Sequence, residues 1–203
     1  GAPGEEKFLG KGVFTCITCD APLFGKKTVA VVGGGNSALE GVLELAKIGA
    51  SKIYLLSLTD KFAADEVTVD KVKALAKQKP GVIEILVETT VKEFRGSKLL
   101  EKIVVENTAT GKTKELSVNG VFLEIGYAVD PALFKELVKI NERNEIVIDE
   151  RCRTSREGVF AAGDVTTLPF KQVITAAGEG AKAALQCHRW LSGIKGEGAA
   201  IDW

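Results

Sequence analysis

The spacing of apolar and polar positions changes several times along the chain, and each change marks an element. Lys27–Val32 carries four consecutive small or β-branched apolar residues, the pattern of a strand buried on both faces. It runs into Gly33-Gly-Gly-Asn-Ser-Ala38. Beyond this, Ala38, Val42, Leu43, Leu45, Ala46 and Ile48 recur at helical spacing until Gly49 supplies a stop. Lys52–Ser57 reads as a second strand, completing a βαβ opening. Residues 65–78 give a looser helical face through Val67, Val69, Val72, Ala74, Leu75 and Ala76, ended by Pro80-Gly81, and Val82–Val87 is strand-like again.

From Thr89 to Val118 the period falls to two. Thr90–Phe94, Leu100–Val105 and Lys112–Val118 read as a β-meander, with Ala109-Thr-Gly111 as a hairpin turn, and Gly120–Ile125 is a further buried strand. After Gly126 the pattern predicts a short helix over Pro131–Val138 and strands over Glu145–Ile148 and Gly158–Asp164. A helix rich in Ala and Gly follows over Gln172–Leu191. A domain boundary is expected near Gly126–Asp130, dividing the chain into 1–126 and 127–203. The fold class implied is α/β, a parallel sheet with an antiparallel β-meander insertion, followed by a second domain.

Composition narrows this picture. At 203 residues, with 45% hydrophobic and 27% charged, the chain is globular and neither disordered nor collagen-like. Lys and Arg total 27 and Asp and Glu total 27, so nothing marks a nucleic acid or an anionic membrane as partner. No apolar run reaches the roughly 18 residues of a spanning helix. There is no Met, and the opening Gly-Ala-Pro-Gly-Glu-Glu reads as a loop without a signal peptide or first strand; a fragment or processed chain is expected. Cys16 and Cys19 form a C-x-x-C, while Cys152 and Cys187 stand alone and read as ordinary small residues. That sparse usage fits a reducing, cytoplasmic setting.

Three motifs carry candidate chemistry. Gly33-x-Gly35-x-x-Ala38 is the G-x-G-x-x-A form of the dinucleotide fingerprint, and it lies where such a motif must lie, after a strand and opening a helix. Gly33 permits the tight turn, Gly35 lets pyrophosphate approach the backbone, and Ala38 allows close helix–strand packing. The amides of Asn36, Ser37 and Ala38 would face the phosphates at the positive helix end. A glycine-rich turn without a ligand is the competing reading. Cofactor choice is read near Ser57, where neither a carboxylate for a ribose nor an Arg for a 2′-phosphate is present; no Arg occurs before Arg95. Each missing charge-assisted hydrogen bond costs roughly 1.5–3 kcal/mol, so NADH is favoured over NADPH. Asp60 and Lys61 are candidate substitutes at this position.

The second motif is Cys16-Ile-Thr-Cys19-Asp20. Two thiols at this spacing can close a small disulfide, one can take a lowered pKa, and Asp20 can move the proton that exchange requires. Half a zinc site and an inert pair are the alternatives, and no metal site is expected. The third motif is Gly163-Asp164, followed by Lys171-Gln172-Val173 at a helix start. A strand-end Asp can accept from a polyol, and helix N-terminal amides can stabilise negative charge on a flavin ring; a plain helix N-cap region is the alternative. His188, beside Cys187, reads as a solvated or interface residue. Trp190 and Trp203 are candidates for a subunit contact.

Taken together, Pro3-Gly-Glu5, CITCDAPLF (16–24), VAVVGGGNSALE (29–40), GVFLEIGY (120–127) and GVFAAGDVTTLPFKQVITAAGEGAKAAL (158–185) resemble the thioredoxin reductase family. The likeness is strongest to its relative, the flavoprotein reductase of the alkyl hydroperoxide system. The resemblance implies a three-layer ββα NAD(P)H-binding domain over 1–126 and the C-terminal half of an FAD-binding domain over 127–203. It implies electron flow from a pyridine nucleotide through FAD to the Cys pair and on to a protein disulfide. The acceptor would be a thioredoxin-like, glutaredoxin-like or peroxiredoxin-system protein. Cys19 would face the flavin, Cys16 would attack the partner, and Asp20 would be the acid/base. Asp164 would bind the ribityl chain, Gln172 and Val173 would face the flavin pyrimidine end, and Gly126 would approach the nucleotide. A homodimer is expected, as is an N-terminal FAD half outside this sequence: either a separate chain provides it, or FAD is bound poorly.

The sequence also departs from that family. Ala21 replaces the usual Gly after Cys-Asp, Ala128-Val129-Asp130 replaces a Pro-Asn step, and the Arg cluster of NADPH-using members is absent. A relative fed by ferredoxin or another donor, or a flavin-free nucleotide-binding module, is the alternative function.

Overall fold

The computed structural model describes residues 1–126 and 128–193. Two compact units are present, Gly1–Gly126 and Tyr127–Trp203.

The first unit opens with the one-turn helix α1 (Glu5–Phe8) and the two-residue strand β1 (Val13–Phe14), where a loop was expected. Burial explains the difference: Phe8 and Val13 are almost wholly enclosed and pack with Phe94 and Leu100, which draws this short stretch onto the sheet. The C-x-x-C follows as the short helix α2 (Ile17–Asp20), continued by a 3-10 turn over Ala21–Phe24. Then come β2 (Thr28–Val32), α3 (Asn36–Ile48), β3 (Lys52–Leu56), α4 (Glu66–Gln78) and β4 (Ile83–Leu86). The meander β5 (Thr89–Gly96), β6 (Leu100–Asn107) and β7 (Thr113–Ser117) leads to β8 (Gly120–Leu123). Each expected element of this unit is present, with ends moved by at most two residues.

The parallel sheet has the order β1-β8-β2-β3-β4, and β5-β6-β7 form a separate antiparallel sheet. From β2 the chain moves outward through β3 and β4, whereas β8 returns on its other side. β2 therefore sits at a topological switch point, where strand ends diverge and leave a crevice. Register brings Val32 level with Leu56 on one side and Leu123 on the other, so three strands end together at the mouth of that crevice.

Alternation along the strands builds three layers. Val29, Val31, Ile53, Leu55 and Phe122 pack against Leu39, Val42 and Leu45 of α3. Ala30, Leu56 and Val121 point the other way, onto Phe94, Ile103, Val105 and Leu116 of the meander. Meander, parallel sheet and helices are the layers expected of a ββα nucleotide-binding domain.

In the second unit, α5 (Val173–Leu191) is the one regular element among the described residues. Three expectations fail here. Pro131–Val138 forms successive turns instead of a helix. Asp130 holds the Ala132 amide at 2.9 Å, but Leu133 is 93% exposed, so no apolar face offsets the cost of helix nucleation. Glu145–Ile148 and Gly158–Asp164 are not strands; Ile146 bridges Ile140 and Thr166, and Phe160 bridges Arg153, each as an isolated bridge with no ladder. A strand needs a neighbour along its length, and among the described residues none runs beside them. Trp203 lies outside the described residues. Trp190 donates its indole N–H to Glu157 at 3.3 Å, and His188 is exposed.

Candidate active site

The glycine turn lies at the crevice. Gly33 has φ +150, and a Cβ there would overlap the carbonyl of Glu124, so only glycine lets β2 turn this tightly beside β8. Gly35 caps α3 with no side-chain hydrogen bond, which leaves the first amides of a 13-residue helix open. Asn36 and Ser37 are exposed in that first turn, and Ala38 is buried beneath it against the sheet. A cleft of about 720 Å³ opens here. Its lining brings together Gly33, Gly35, Asn36, Ser37, Ser57 and Gly126, all singled out in the sequence.

The 57–65 segment closes one side of this turn. Ala63 N–H donates to Gly34 O at 2.8 Å. Asn36 and Asp65 exchange hydrogen bonds, Asp65 N–H to Asn36 Oδ1 at 2.8 Å and Asn36 Nδ2 to Asp65 Oδ2 at 3.1 Å. Ser57 is buried, and its hydroxyl donates to Thr59 O at 2.9 Å, an internal turn bond. Asp60 and Lys61 are exposed. Arg95, the first Arg in the chain, is paired with Glu93 and Glu115, each at 2.6 Å.

Cys16 and Cys19 form a disulfide. Cys16 caps α2: its Sγ accepts the Cys19 amide at 3.2 Å. Cys19 is exposed and Cys16 half-buried. The turn is pinned by Ile17, 6% exposed, whose side chain occupies the space left by Gly41 on α3; a Cβ at Gly41 would overlap it. Ala21, in place of the family's Gly, has φ −51 and is fully buried, so it costs no backbone strain. Glu124, which lies within GVFLEIGY but was assigned no role there, lines the cleft beside Gly33, and burial pushes its carboxyl above the usual carboxylate range, opposed by the Ile17 amide.

The third motif lies in the second unit. Asp164 is exposed, and Gly163 O accepts the Thr166 hydroxyl at 2.7 Å. Lys171 is committed locally, to the carbonyls of Asp164 and Thr166 and to Glu145 at 3.0 Å. Gln172 and Thr175 form a reciprocal cap of α5, and Val173 is 86% exposed. Cys152 is enclosed, donates to Glu179 Oε2 at 2.9 Å, and is pushed up to about 12 by burial and by that carboxylate.

Residues 1–180 match the family model described as pyridine nucleotide-disulphide oxidoreductase. The chain belongs to that family. It is 39% identical over 192 residues to the F component of alkyl hydroperoxide reductase from Pseudomonas aeruginosa, covering 94% of this chain and 36% of that protein. The same component from Escherichia coli is 40% identical over 191 residues, covering 93% and 35%. The chain thus spans about a third of the length of these curated relatives. Thioredoxin reductase of T. acidophilum superposes with a TM-score of 0.76 at 32% identity, over 96% of this chain and 62% of that one. The resemblance drawn from the motifs is borne out, as is the fold class.

Proposed function

We propose that this chain supplies the nicotinamide-binding and disulfide-exchanging part of a flavoprotein disulfide reductase, taking electrons from NADH or NADPH and delivering them through Cys16–Cys19 to a protein disulfide. The observation that carries this reading is the packing of the Cys16–Cys19 turn, through Ile17, onto the same helix whose uncapped N-terminus faces the cleft. One strand–turn–helix unit thus holds both a phosphate cradle and a two-thiol centre.

The residues fit a dinucleotide. Gly33 lets the backbone close in, and the open amides of Asn36, Ser37 and Ala38 would bind pyrophosphate at the positive end of α3. Gly126 and Leu58, on the cleft wall, would flank the nicotinamide and ribose portions. NADH is favoured, because among the described residues no Arg lines the cleft and Arg95 is held by two carboxylates. For FAD, the exposed Asp164 would accept the ribityl hydroxyls, and the start of α5 at Gln172 and Val173 would face the ring. Lys171 would act through the loop it holds. With FAD bound, two-electron transfer between nicotinamide and disulfide becomes available.

Reduction breaks the Cys16–Cys19 bond and adds two electrons and two protons, and Asp20 would hold one of those protons. Cys16 would then attack the acceptor, a thioredoxin-like, glutaredoxin-like or peroxiredoxin-system disulfide, and Cys19 would resolve the mixed disulfide. In this reading 127–203 is the C-terminal part of an FAD-binding domain whose first half lies outside this sequence, and the working enzyme is a cytoplasmic homodimer. The test supplies the first half of the FAD domain as a second polypeptide, reconstitutes the pair with FAD, and mixes it anaerobically with NADH and, separately, NADPH. Flavin bleaching followed by two titratable thiols at Cys16 and Cys19 is expected; absence of bleaching with either nucleotide contradicts the proposal.

A further inference from the structure

The segment that joins β3 to α4 is tied down at both ends, and its far end is tied to the glycine turn. At its start, Ser57 N–H donates to Leu86 O at 2.9 Å and Ser57 O accepts the Thr89 amide at 2.8 Å. At its end, Ala63 N–H donates to Gly34 O at 2.8 Å, and Gly35 and Ala63 form a parallel bridge. Two residues on, the Asp65 amide donates to Asn36 Oδ1 at 2.8 Å, and Asn36 Nδ2 donates to Asp65 Oδ2 at 3.1 Å. Asn36, Ser57, Leu58, Thr59 and Ala63 line the cleft; Asp65 stands outside that lining.

Asp65 immediately precedes α4, yet its carboxylate makes no cap there; the amides of Thr68 and Val69 take its backbone carbonyl. Its side chain is committed to Asn36 instead. The pairing engages both ends of the Asn36 side-chain amide, which turns that group onto Asp65 and leaves the backbone amide of Asn36 at the open start of α3. Between the two anchors, the hydroxyls of Ser57 and Thr59 bond within the segment, to Thr59 O and Lys61 O. Where 57–59 lies beside the turn therefore depends on what holds the ends of the segment.

We propose that Asp65 is a positioning residue for the pyridine nucleotide: paired with Asn36, it fastens the end of the 57–65 segment to the glycine turn and so holds residues 57–59 against the cleft, where the end of β3 meets the adenosine ribose. The pyrophosphate cradle needs only the glycine turn and the start of α3, whereas the ribose wall needs this latch. The inference rests on the nucleotide-binding reading of the cleft.

The test uses the full 203-residue chain and follows its amide chemical shifts through titrations with NADH and, separately, with inorganic pyrophosphate. Asp65→Ala should weaken NADH about tenfold, the loss of one charge-assisted hydrogen bond, and leave pyrophosphate binding unchanged. Asp65→Asn keeps an acceptor for Asn36 Nδ2 and should stay within about threefold of the parent for NADH. Asn36→Ala removes the other partner and should lose at least as much as Asp65→Ala; adding Asp65→Ala to it should lose nothing further, because the interaction is already gone. Circular dichroism confirms the fold of each variant. Unchanged NADH affinity in Asp65→Ala, an equal loss of pyrophosphate, Asp65→Asn as weak as Asp65→Ala, or additive losses in the double variant overturns the inference. A parent chain that fails to bind NADH, or fails to bind pyrophosphate, overturns the nucleotide reading itself and the inference with it.

Discussion

The two units use their apolar residues in opposite ways. In Gly1–Gly126 a five-stranded sheet buries both faces, with Val29 and Val31 turned to the helices and Ala30 to the meander. In the second unit, α5 is the longest helix described yet has no buried residue; Val173, Ile174 and Leu191 are 86%, 76% and 71% exposed. What orders that unit is mostly local and polar. Asp149 accepts from the amides of Arg151 and Arg153, Asn141 from those of Arg143 and Glu145, and Lys171 gathers carbonyls. One unit is held by close packing and the other by turn chemistry, so substitutions should divide along the same line.

The largest effect is expected at Gly33. Gly33→Val adds a branched side chain at φ +150 against the Glu124 carbonyl, so NADH binding followed by fluorescence should weaken at least about a hundredfold, since loss of the turn removes several charge-assisted bonds. Retained affinity would separate the cleft from nucleotide binding. Ile17→Ala comes next. It empties an enclosed site on α3, and denaturant unfolding should lose about 2–4 kcal/mol, with faster amide exchange in α2 and α3.

Much of this first unit was legible in the sequence, because its strands and helices carry clean periods and its motif has a fixed strand–turn–helix context. Gly33, Gly35, Asn36, Ser37, Ser57 and Gly126 were all identifiable and do meet in one cleft. β1 was not, since two residues hold no period. Glu124, Ile17 and Gly41 were invisible for a different reason: each matters through a contact, and a buried Ile or a helical Gly has no signature until its partner is known. In the second unit, apolar runs such as Gly158–Ala162 promised strands, but a strand forms only beside another, and the described residues offer isolated bridges.

A pH measurement sharpens the comparison further. Glu124 binds its proton more tightly folded than unfolded, so its contribution to stability falls as pH rises from its ordinary value of 4.5 through the raised one. Unfolding midpoints of Glu124→Gln should lack that decline. Thiol labelling probes the other unit. The Cys152 thiol, pushed up to about 12, should react with iodoacetamide at least about tenfold more slowly than half-buried Cys187 at mildly alkaline pH. The smallest effect is expected on α5. Val173→Ser and Ile174→Ser should each leave the stability of this chain within about 0.5 kcal/mol, and a larger loss would show those side chains to be covered.

The central claim is that the open start of α3 binds a pyridine nucleotide. Amide chemical shifts of the full chain, followed through an NADH titration, test it most directly. The account predicts saturable shifts centred on Gly33–Ala38 and reaching 57–59 and Gly126. Shifts that do not saturate, or that gather elsewhere and leave the glycine turn unmoved, would contradict it.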